Sequence, residues 1–250
     1  MKAATQNVVV LKSHRAESAA PCMACSKRAQ CPAAGLDTGA HVTQQVVHGG
    51  SSLYESGARF SGVYIVRSGF FKSYSVDSEG VMQVTGFHLP GDFVGLDGIE
   101  SGAYGDTVEA LDTSSVCRIP LSVFDGRHAQ SEAGAEMMLA FVKLMSRTIA
   151  ADRRMFFTLG KMSARRRIGV FLKELSERMA ASGYSASDFT LCMSRTDIAN
   201  YLCLALETVS RLVTQLNEKG VIAIERRNIR ILDRDALVQD AAPERVRKAG

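Results

Sequence analysis

Hydrophobic and polar residues alternate at short spacing through residues 41–134 and then change to a helical period. In the first region, glycines separate β-type runs such as GVYIVRSG, FFKSYSV, VMQVTGFHL and SSVCRIP. Short strands between turn glycines are typical of an antiparallel barrel or sandwich. We therefore predict an antiparallel β-domain over residues 41–134, preceded by a segment, residues 1–40, that has no clear period.

A long helix is predicted from Ala135 to Leu159, because this stretch lacks proline and glycine and its apolar residues recur every three or four positions. They form a heptad seam that contains one carboxylate. The seam residues are Val142, Met145, Ile149, Asp152 and Phe156. Two interpretations are open: a core helix that packs on its own β-domain, or a helix that pairs with a second copy.

Residues 161–182 predict a second helix, and a helix-turn-helix follows a short strand, FTLCM. Ser194 is a good N-cap, and Asp197 three positions later completes a variant of the capping box. Two helices, Thr196–Leu202 and Leu206–Lys219, are joined by a tight turn at Cys203–Ala205, which is the pattern of a helix-turn-helix. The following VIAIERRNIRILD predicts a hairpin, or wing, with two arginines at its tip.

The N-terminal end of the second helix would enter the major groove of DNA. Its exposed residues are predicted to be Glu207, Thr208, Ser210 and Arg211. Arg211 can donate two hydrogen bonds to guanine, Glu207 can accept one from cytosine, and Ser210 can contact a thymine methyl group or a phosphate. A plain surface ion pair between Glu207 and Arg211 is the alternative. Further phosphate contacts are expected from Arg195, Arg226 and Arg227.

Charge supports a polyanion partner for the C-terminal part. Residues 161–234 hold 13 Lys/Arg and 8 Asp/Glu, a net +5, whereas residues 1–160 hold 14 and 15, a net −1. A merely solvated basic surface would give the same count. The 22% of charged and 46% of apolar residues are ordinary for a globular protein. The sequence shows neither a bilayer-spanning apolar run nor a signal peptide, so we expect a cytoplasmic protein without membrane contact.

Three cysteines lie close together in CMACSKRAQC, at Cys22, Cys25 and Cys31. In a cytoplasmic protein such clusters are more often metal ligands or catalytic groups than disulfides. The sequence shows no nucleophile–base pair, phosphate loop or paired catalytic acids, so we predict that the chain is not an enzyme. Cys192 and Cys203 stand apart from this motif and are expected to be small core residues.

Several motifs together resemble one family. They are the three-cysteine motif with Cys117 in SSVCRIP, TGFHLPGDFVG at 85–95, Asp152 in the seam, and MSRTDIANYL with ETVSRL at 193–212. The chain resembles the Fnr branch of the cyclic-AMP receptor/Fnr superfamily, the oxygen-responsive fumarate and nitrate reductase regulators. Glu207, Ser210 and Arg211 match the residues with which Fnr-type proteins contact bases.

The resemblance implies an α+β fold in five parts. These are an N-terminal cluster-binding segment (1–40), an antiparallel β-roll sensor domain (41–134), a dimerisation helix (135–159), a winged helix-turn-helix (160–234) and a tail (235–250). It also implies an active homodimer that binds double-stranded DNA at inverted repeats with TTGAT half-sites. RNA polymerase would be contacted through surface loops of the β-roll, near Asp77–Gly80 and Gly86.

The resemblance further implies that Cys22, Cys25, Cys31 and Cys117 bind an oxygen-labile [4Fe–4S] cluster. Four thiolates also suit tetrahedral zinc, but structural zinc usually has two C-x2-C pairs, and here there is one. Zinc or a thiol–disulfide switch remains an alternative sensor. Three bases beside these cysteines could offset the negative charge of a cluster: Lys27, Arg28 and Arg118.

Asp152, with Ile149 and Met145, is expected to act as a dimer switch. Two Asp152 carboxylates would meet across a symmetric seam, and their repulsion and desolvation would make the dimer marginal. A rival hypothesis is a cyclic-nucleotide-binding module that works through protein contacts. Cyclic-AMP receptors grip the cyclic phosphate with an Arg-Ser pair, but the matching region here, GDFVGLDGIESGAYGDTVEAL, lacks the arginine and carries Asp106. Cyclic nucleotide binding is therefore not expected.

Overall fold

The computed structural model describes residues 18–19, 42–120 and 132–240. Cys22, Cys25 and Cys31, with Lys27 and Arg28, lie outside the described residues. The N-terminal half is built from short strands, as the glycine spacing predicts. They are β1 (Ser18–Ala19), β2 (Thr43–Val47), β3 (Ser52–Tyr54), β4 (Val63–Ser68), β5 (Phe71–Val76), β6 (Met82–His88), β7 (Phe93–Val94), β8 (Thr107–Ala110) and β9 (Ser114–Ile119), with a short helix α1 (Gly98–Ser101) before β8.

These strands form two antiparallel sheets, in the orders β1-β2-β9-β4-β7 and β3-β8-β5-β6. Alternate residues of each strand face the space between the sheets, where Leu53, Phe71 and Val116 are fully buried. The turn between β4 and β5 needs glycine, because Gly69 has φ +78° and a Cβ there would collide with the Ser114 side chain. The predicted antiparallel β-domain is confirmed.

The C-terminal half is mostly helical. Its helices are α2 (Glu132–Lys161), α3 (Ala164–Ala181), α4 (Arg195–Tyr201), α5 (Leu206–Glu218) and α6 (Arg234–Asp240), and its strands are β10 (Asp188–Thr190), β11 (Ile222–Glu225) and β12 (Asn228–Ile231). Residues from Asp235 onward were predicted to be a tail, but α6 continues to Asp240 and buries Leu237. None of the described helices is long and apolar enough to cross a bilayer.

A second hydrophobic core, apart from the one between the two sheets, joins the two halves. Phe87 on β6 packs edge-on against Phe171 on α3 and Tyr201 on α4, with ring centroids 6.0 and 5.0 Å away. Arg178 on α3 strengthens the junction, since its Nη2 donates to the Phe87 carbonyl at 2.6 Å and to Asp92 Oδ2 at 2.5 Å. The outer face of the second sheet therefore carries the helix-turn-helix domain.

Candidate DNA-binding interface and sensor site

The first helix of the helix-turn-helix, α4, begins with the predicted capping box. Ser194 Oγ accepts from Asp197 N at 3.0 Å, and the Asp197 carboxylate accepts from Ser194 N at 3.0 Å. Two exposed helix-end amides are thereby satisfied. Ile198, Ala199 and Leu202 are buried, as predicted.

The turn after α4 holds Cys203 in the left-handed region, with φ 52°. Its side chain is exposed, so the prediction that Cys203 is a core residue is wrong: the turn directs this position outward. Cys192 is half-buried, with Sγ 3.9 Å from Asp112 Oδ2. Burial, and secondarily Asp112, raises the pKa of the Cys192 thiol to about 11.

The second helix, α5, buries Val209, Leu212 and Leu216 against the domain core. Its opposite face presents Glu207 and Arg211, which are exposed, together with Thr208 and Ser210, which are half-buried. The ion pairs of the described residues do not include Glu207 with Arg211. The proposed base-contacting side chains therefore lie on one accessible face near the N-terminus of the helix.

The wing is the β11–β12 hairpin, in which Glu225 pairs with Asn228 across a two-residue tip. That tip consists of Arg226, which has φ 57°, and Arg227, and both side chains are exposed. Arg195, the first residue of α4, is exposed as well. The predicted phosphate-contacting arginines are thus all accessible to solvent.

Contacts that the sequence did not reveal join α4 to the β-roll. The Asn200 carboxamide pairs with the edge of β6: Nδ2 donates to the Met82 carbonyl at 2.8 Å, and Oδ1 accepts from Val84 N at 2.5 Å. Gln83 Nε2 donates to the Asn200 carbonyl at 2.8 Å. The sequence gives no indication of these hydrogen bonds, because Asn200 and the residues of β6 that it contacts are over 100 positions apart.

Cys117, the described member of the expected ligand set, lies on β9 between Gln44 of β2 and Ile65 of β4. It is half-buried, and its side chain lies on the opposite face of the strand from the core residue Val116. Arg118, expected to offset a cluster's charge, follows on the inner face instead, where Nε donates to Thr43 Oγ1 at 3.3 Å. Within the described residues, no group of three or more His, Cys, Asp or Glu could hold a metal ion.

A group of tyrosine rings packs inside the β-roll, within its hydrophobic core. Tyr54 and Tyr104 stack with centroids 3.8 Å apart, and Tyr64 lies 5.7 Å from Tyr54. The Asp97 carboxylate beside them accepts from Gly105 N at 2.6 Å and from Asp106 N at 3.3 Å. A carboxylate of the chain therefore already occupies the backbone N–H groups that could bind an anion at this turn.

The seam of α2 faces solvent in the single chain. Its apolar members are 39 to 81% exposed: Val142 54%, Met145 39%, Ile149 50% and Phe156 81%. The interpretation that this seam packs into the chain's own β-domain is therefore wrong. Asp152 lies in the same row, and partial burial raises the pKa of its carboxyl group.

Comparisons with known proteins agree with this architecture. The Crp-like helix-turn-helix domain matches residues 166–239, and the cyclic nucleotide-binding domain matches residues 44–131. The "Transcriptional activator protein anr" of Pseudomonas aeruginosa is 43% identical over 184 residues, 74% of each chain. The "Fumarate and nitrate reduction regulatory protein" of Escherichia coli is 39% identical over 196 residues, 78% of this chain and 77% of that one.

Among solved structures, FixK2 from Bradyrhizobium japonicum superposes with a TM-score of 0.68 at 28% identity, covering 81% of this chain and 98% of that one. The matched domains span both the β-roll and the winged helix, and the relatives are transcription regulators rather than enzymes. The chain therefore belongs to the Crp/Fnr family of DNA-binding transcription regulators, as a member of its Fnr-type branch.

Proposed function

We propose that this protein is an oxygen-responsive bacterial transcription regulator that acts in the cytoplasm. In this proposal Cys22, Cys25, Cys31 and Cys117 hold a [4Fe–4S] cluster at low oxygen, and the protein then binds inverted TTGAT repeats as a homodimer. The supporting observation is the strand register that brings Ser18–Ala19, just before the cysteine motif, within two strands of Cys117.

In that register, Ser18 of β1 pairs with Gln44 of β2, and Gln44 pairs with Cys117 of β9. Two interstrand steps separate Ser18 from Cys117, about 10 Å. Cys22 follows Ala19 by three residues, which can span up to about 11 Å. The cysteine motif is thus within reach of Cys117. When bound, such a cluster supplies an oxidisable group of four irons held by thiolates.

In this proposal, helix α2 connects the cysteine site to DNA binding by pairing with α2 of a second copy. The exposed seam of Met145, Ile149 and their neighbours needs an apolar partner, and a second copy provides an identical stripe. The two Asp152 carboxylates would then face each other, which disfavours pairing. Anchoring of the N-terminal segment at Cys117 would tip this marginal equilibrium towards the dimer.

The dimer would present two copies of α5 to successive major grooves, about 34 Å apart. Arg211, Glu207 and Ser210, with Thr208 beside them, would contact base edges, whereas Arg195, Arg226 and Arg227 would contact phosphates. Loss of Arg211 should relax base preference at one position, and loss of a wing arginine should weaken binding to all sequences alike.

RNA polymerase would meet the β5–β6 hairpin, whose tip is exposed and closed by hydrogen bonds to Asp77. Asp77 Oδ1 accepts from Glu79 N and Val81 N, both at 2.9 Å, and Val76 and Val81 are more than half exposed. Gly86 lies inside β6 opposite Ser73, so it belongs to the strand rather than to this tip. Exposed valines on both sides of an acidic turn suit a protein contact.

The proposal excludes cyclic nucleotides as the signal. Three packed tyrosine rings occupy part of the β-roll interior, and Asp97 occupies the amides of Gly105 and Asp106. An incoming phosphate would have to displace one carboxylate and approach a second, on Asp106, without an arginine to bind it.

Purification without oxygen tests the proposal. We expect a brown protein with about four irons per chain, which bleaches in air and then loses affinity for a TTGAT palindrome. Cys117→Ser should abolish the iron, and Cys192→Ser is the matched control that should retain it. A colourless protein with zinc, or with no metal but an air-induced disulfide, would overturn the cluster and favour the alternative sensors. It would leave the family assignment in place.

A further inference from the structure

Arg167, in the first turn of α3, makes hydrogen bonds to the ends of two other helices. Its Nη2 donates to the Leu159 carbonyl at 2.6 Å, and its Nε donates to the Met162 carbonyl at 3.1 Å, both at the C-terminal end of α2. Its Nη1 donates to the Leu202 carbonyl at 2.9 Å and to the Cys203 carbonyl at 3.3 Å, at the end of α4. One half-buried guanidinium therefore bridges the long helix and the turn of the helix-turn-helix.

The chemistry of this position calls for arginine. The C-terminal end of a helix carries a partial negative charge, and its last carbonyls lack partners within the helix. Here two such ends point at the same cation. A guanidinium presents donors in a rigid planar fork, so it can satisfy both ends at once, whereas a lysine ammonium is a single point on a flexible stem.

The position also matters for DNA geometry. Cys203 opens the turn that sets the angle between α4 and α5, and it has a left-handed backbone that depends on its surroundings. Lys161, only two residues past Leu159, ends α2. Arg167 therefore ties the direction of α2 to the conformation from which α5 projects.

We propose that Arg167 is a positioning residue that fixes the direction of the recognition helix relative to the dimer helix. Arg167 itself contacts no base. It sets the distance and angle between the two α5 helices of a dimer and thereby selects the spacing between the half-sites. This inference rests on the proposed dimeric binding to inverted repeats.

The dependence of DNA affinity on the spacing between half-sites distinguishes a positioning role of Arg167 from a merely structural one. A dimer whose recognition helices are rigidly placed binds best at one half-site separation, and each base pair added or removed costs affinity. A dimer with loosely tied helices adapts to several separations but loses the advantage of pre-arranged bivalent binding. General damage to the helix-turn-helix would lower affinity equally at every separation.

The experiment measures fluorescence anisotropy of oxygen-free protein with duplexes that carry two TTGAT half-sites, with spacers from about two base pairs shorter to two longer than the optimum. Arg167→Gln is compared with wild type, with Arg167→Lys, and with Lys173→Gln, which removes the same charge from an exposed part of α3. Circular dichroism and sedimentation establish that each variant is folded and dimeric.

We expect Arg167→Gln to lose roughly tenfold in affinity at the optimal spacer and less than about twofold at the others, so that the profile flattens. Arg167→Lys, which keeps the charge and is expected to fold, should give an intermediate profile, and Lys173→Gln should retain the wild-type shape. An unchanged profile, or an equal loss at every spacer, in either Arg167 variant overturns the inference. A wild-type profile without an optimum would instead refute the proposed dimeric binding, and the inference with it.

Discussion

Lys72 Nζ lies 3.1 Å from Asp197 Oδ1, and this ion pair joins the β-roll to the capping box of the helix-turn-helix. The two side chains are only 12 and 13% exposed, and Lys72 also pairs with Glu109 at 3.3 Å. Asp197 therefore has two tasks at once, since it caps α4 and anchors that helix to the sensor domain. A pair shielded in this way is screened less by salt than a surface pair.

The Lys72–Asp197 pair predicts a specific loss of stability in acid. Burial alone would raise the pKa of Asp197, but hydrogen bonds from Ser194 and Lys72 outweigh it and hold the pKa below its usual value. A carboxyl group with a lowered pKa stabilises the fold above its unfolded pKa, about 4, and this contribution disappears as pH falls through the folded value.

We expect Lys72→Met to weaken the pH dependence of the free energy of unfolding below about pH 5, because less of the Asp197 shift remains. Urea unfolding at a series of pH values measures this free energy for both proteins. Lys173→Met, which removes a lysine 3.8 Å from Glu177 in an exposed pair, is the matched control and should follow wild type. Parallel curves for wild type and Lys72→Met would show that the pair does not set the pKa.

Whether a structural feature could be predicted from the sequence depends on how far apart its residues lie along the chain. The capping box at Ser194 and Asp197 is local, and the buried stripe of α5 repeats every three or four residues, so both were predictable. The partner of Asp197 was not, because Lys72 lies 125 positions away and only the packing of two domains brings it near. Charge and spacing carry no information about such a contact.

Arg167 illustrates the same limit within one helix. Three consecutive arginines, Arg165–Arg167, open α3, and their composition suggests a basic surface. Which of them hydrogen-bonds to the ends of α2 and α4 depends on how α3 packs against those helices. The prediction that Cys203 is a core residue was wrong for a related reason. Small apolar residues are usually buried, but the conformation of this turn exposes the Cys203 side chain.

The position of Asp152 in the seam predicts that the affinity of the dimer increases in mild acid. Burial raises the pKa of this carboxyl group in the single chain, so the ionised form is already disfavoured, and a facing copy would disfavour it further. Protonation as pH falls towards that raised pKa removes the penalty. Sedimentation of air-exposed protein over a series of falling pH values should show dimerisation that tightens as pH is lowered.

The matched variant Asp152→Ala should dimerise more tightly than wild type at pH 7.5, because the facing carboxylates are gone, and should lose most of the pH dependence. Glu177→Gln, on the exposed surface of α3, serves as the charge control. An air-exposed Asp152→Ala protein that stays as monomeric as wild type would refute the repulsion.

The two cysteines outside the motif should differ in reactivity. Burial and Asp112 hold the pKa of Cys192 near 11, so about one molecule in a thousand carries the thiolate at pH 8. Cys203 is exposed. Iodoacetamide labelling followed by peptide mass spectrometry should modify Cys203 much faster than Cys192, and labelling in urea should equalise the two rates. Equal rates in the folded protein would contradict the burial of Cys192.

Substitutions of the neighbouring wing-tip residues Arg226 and Arg227 should differ in their effect on fold stability but not in their effect on DNA affinity. Arg226 has φ 57°, which costs a non-glycine residue roughly 1 kcal/mol, whereas Arg227 is not in this region. Arg226→Gly should therefore be about 1 kcal/mol more stable than Arg227→Gly in urea unfolding, since glycine relieves strain only at the first position. Both variants should weaken DNA binding and reduce its salt slope by about one. Equal stabilities would mean that the tip relaxes freely, and an unchanged salt slope would place that arginine away from the phosphates.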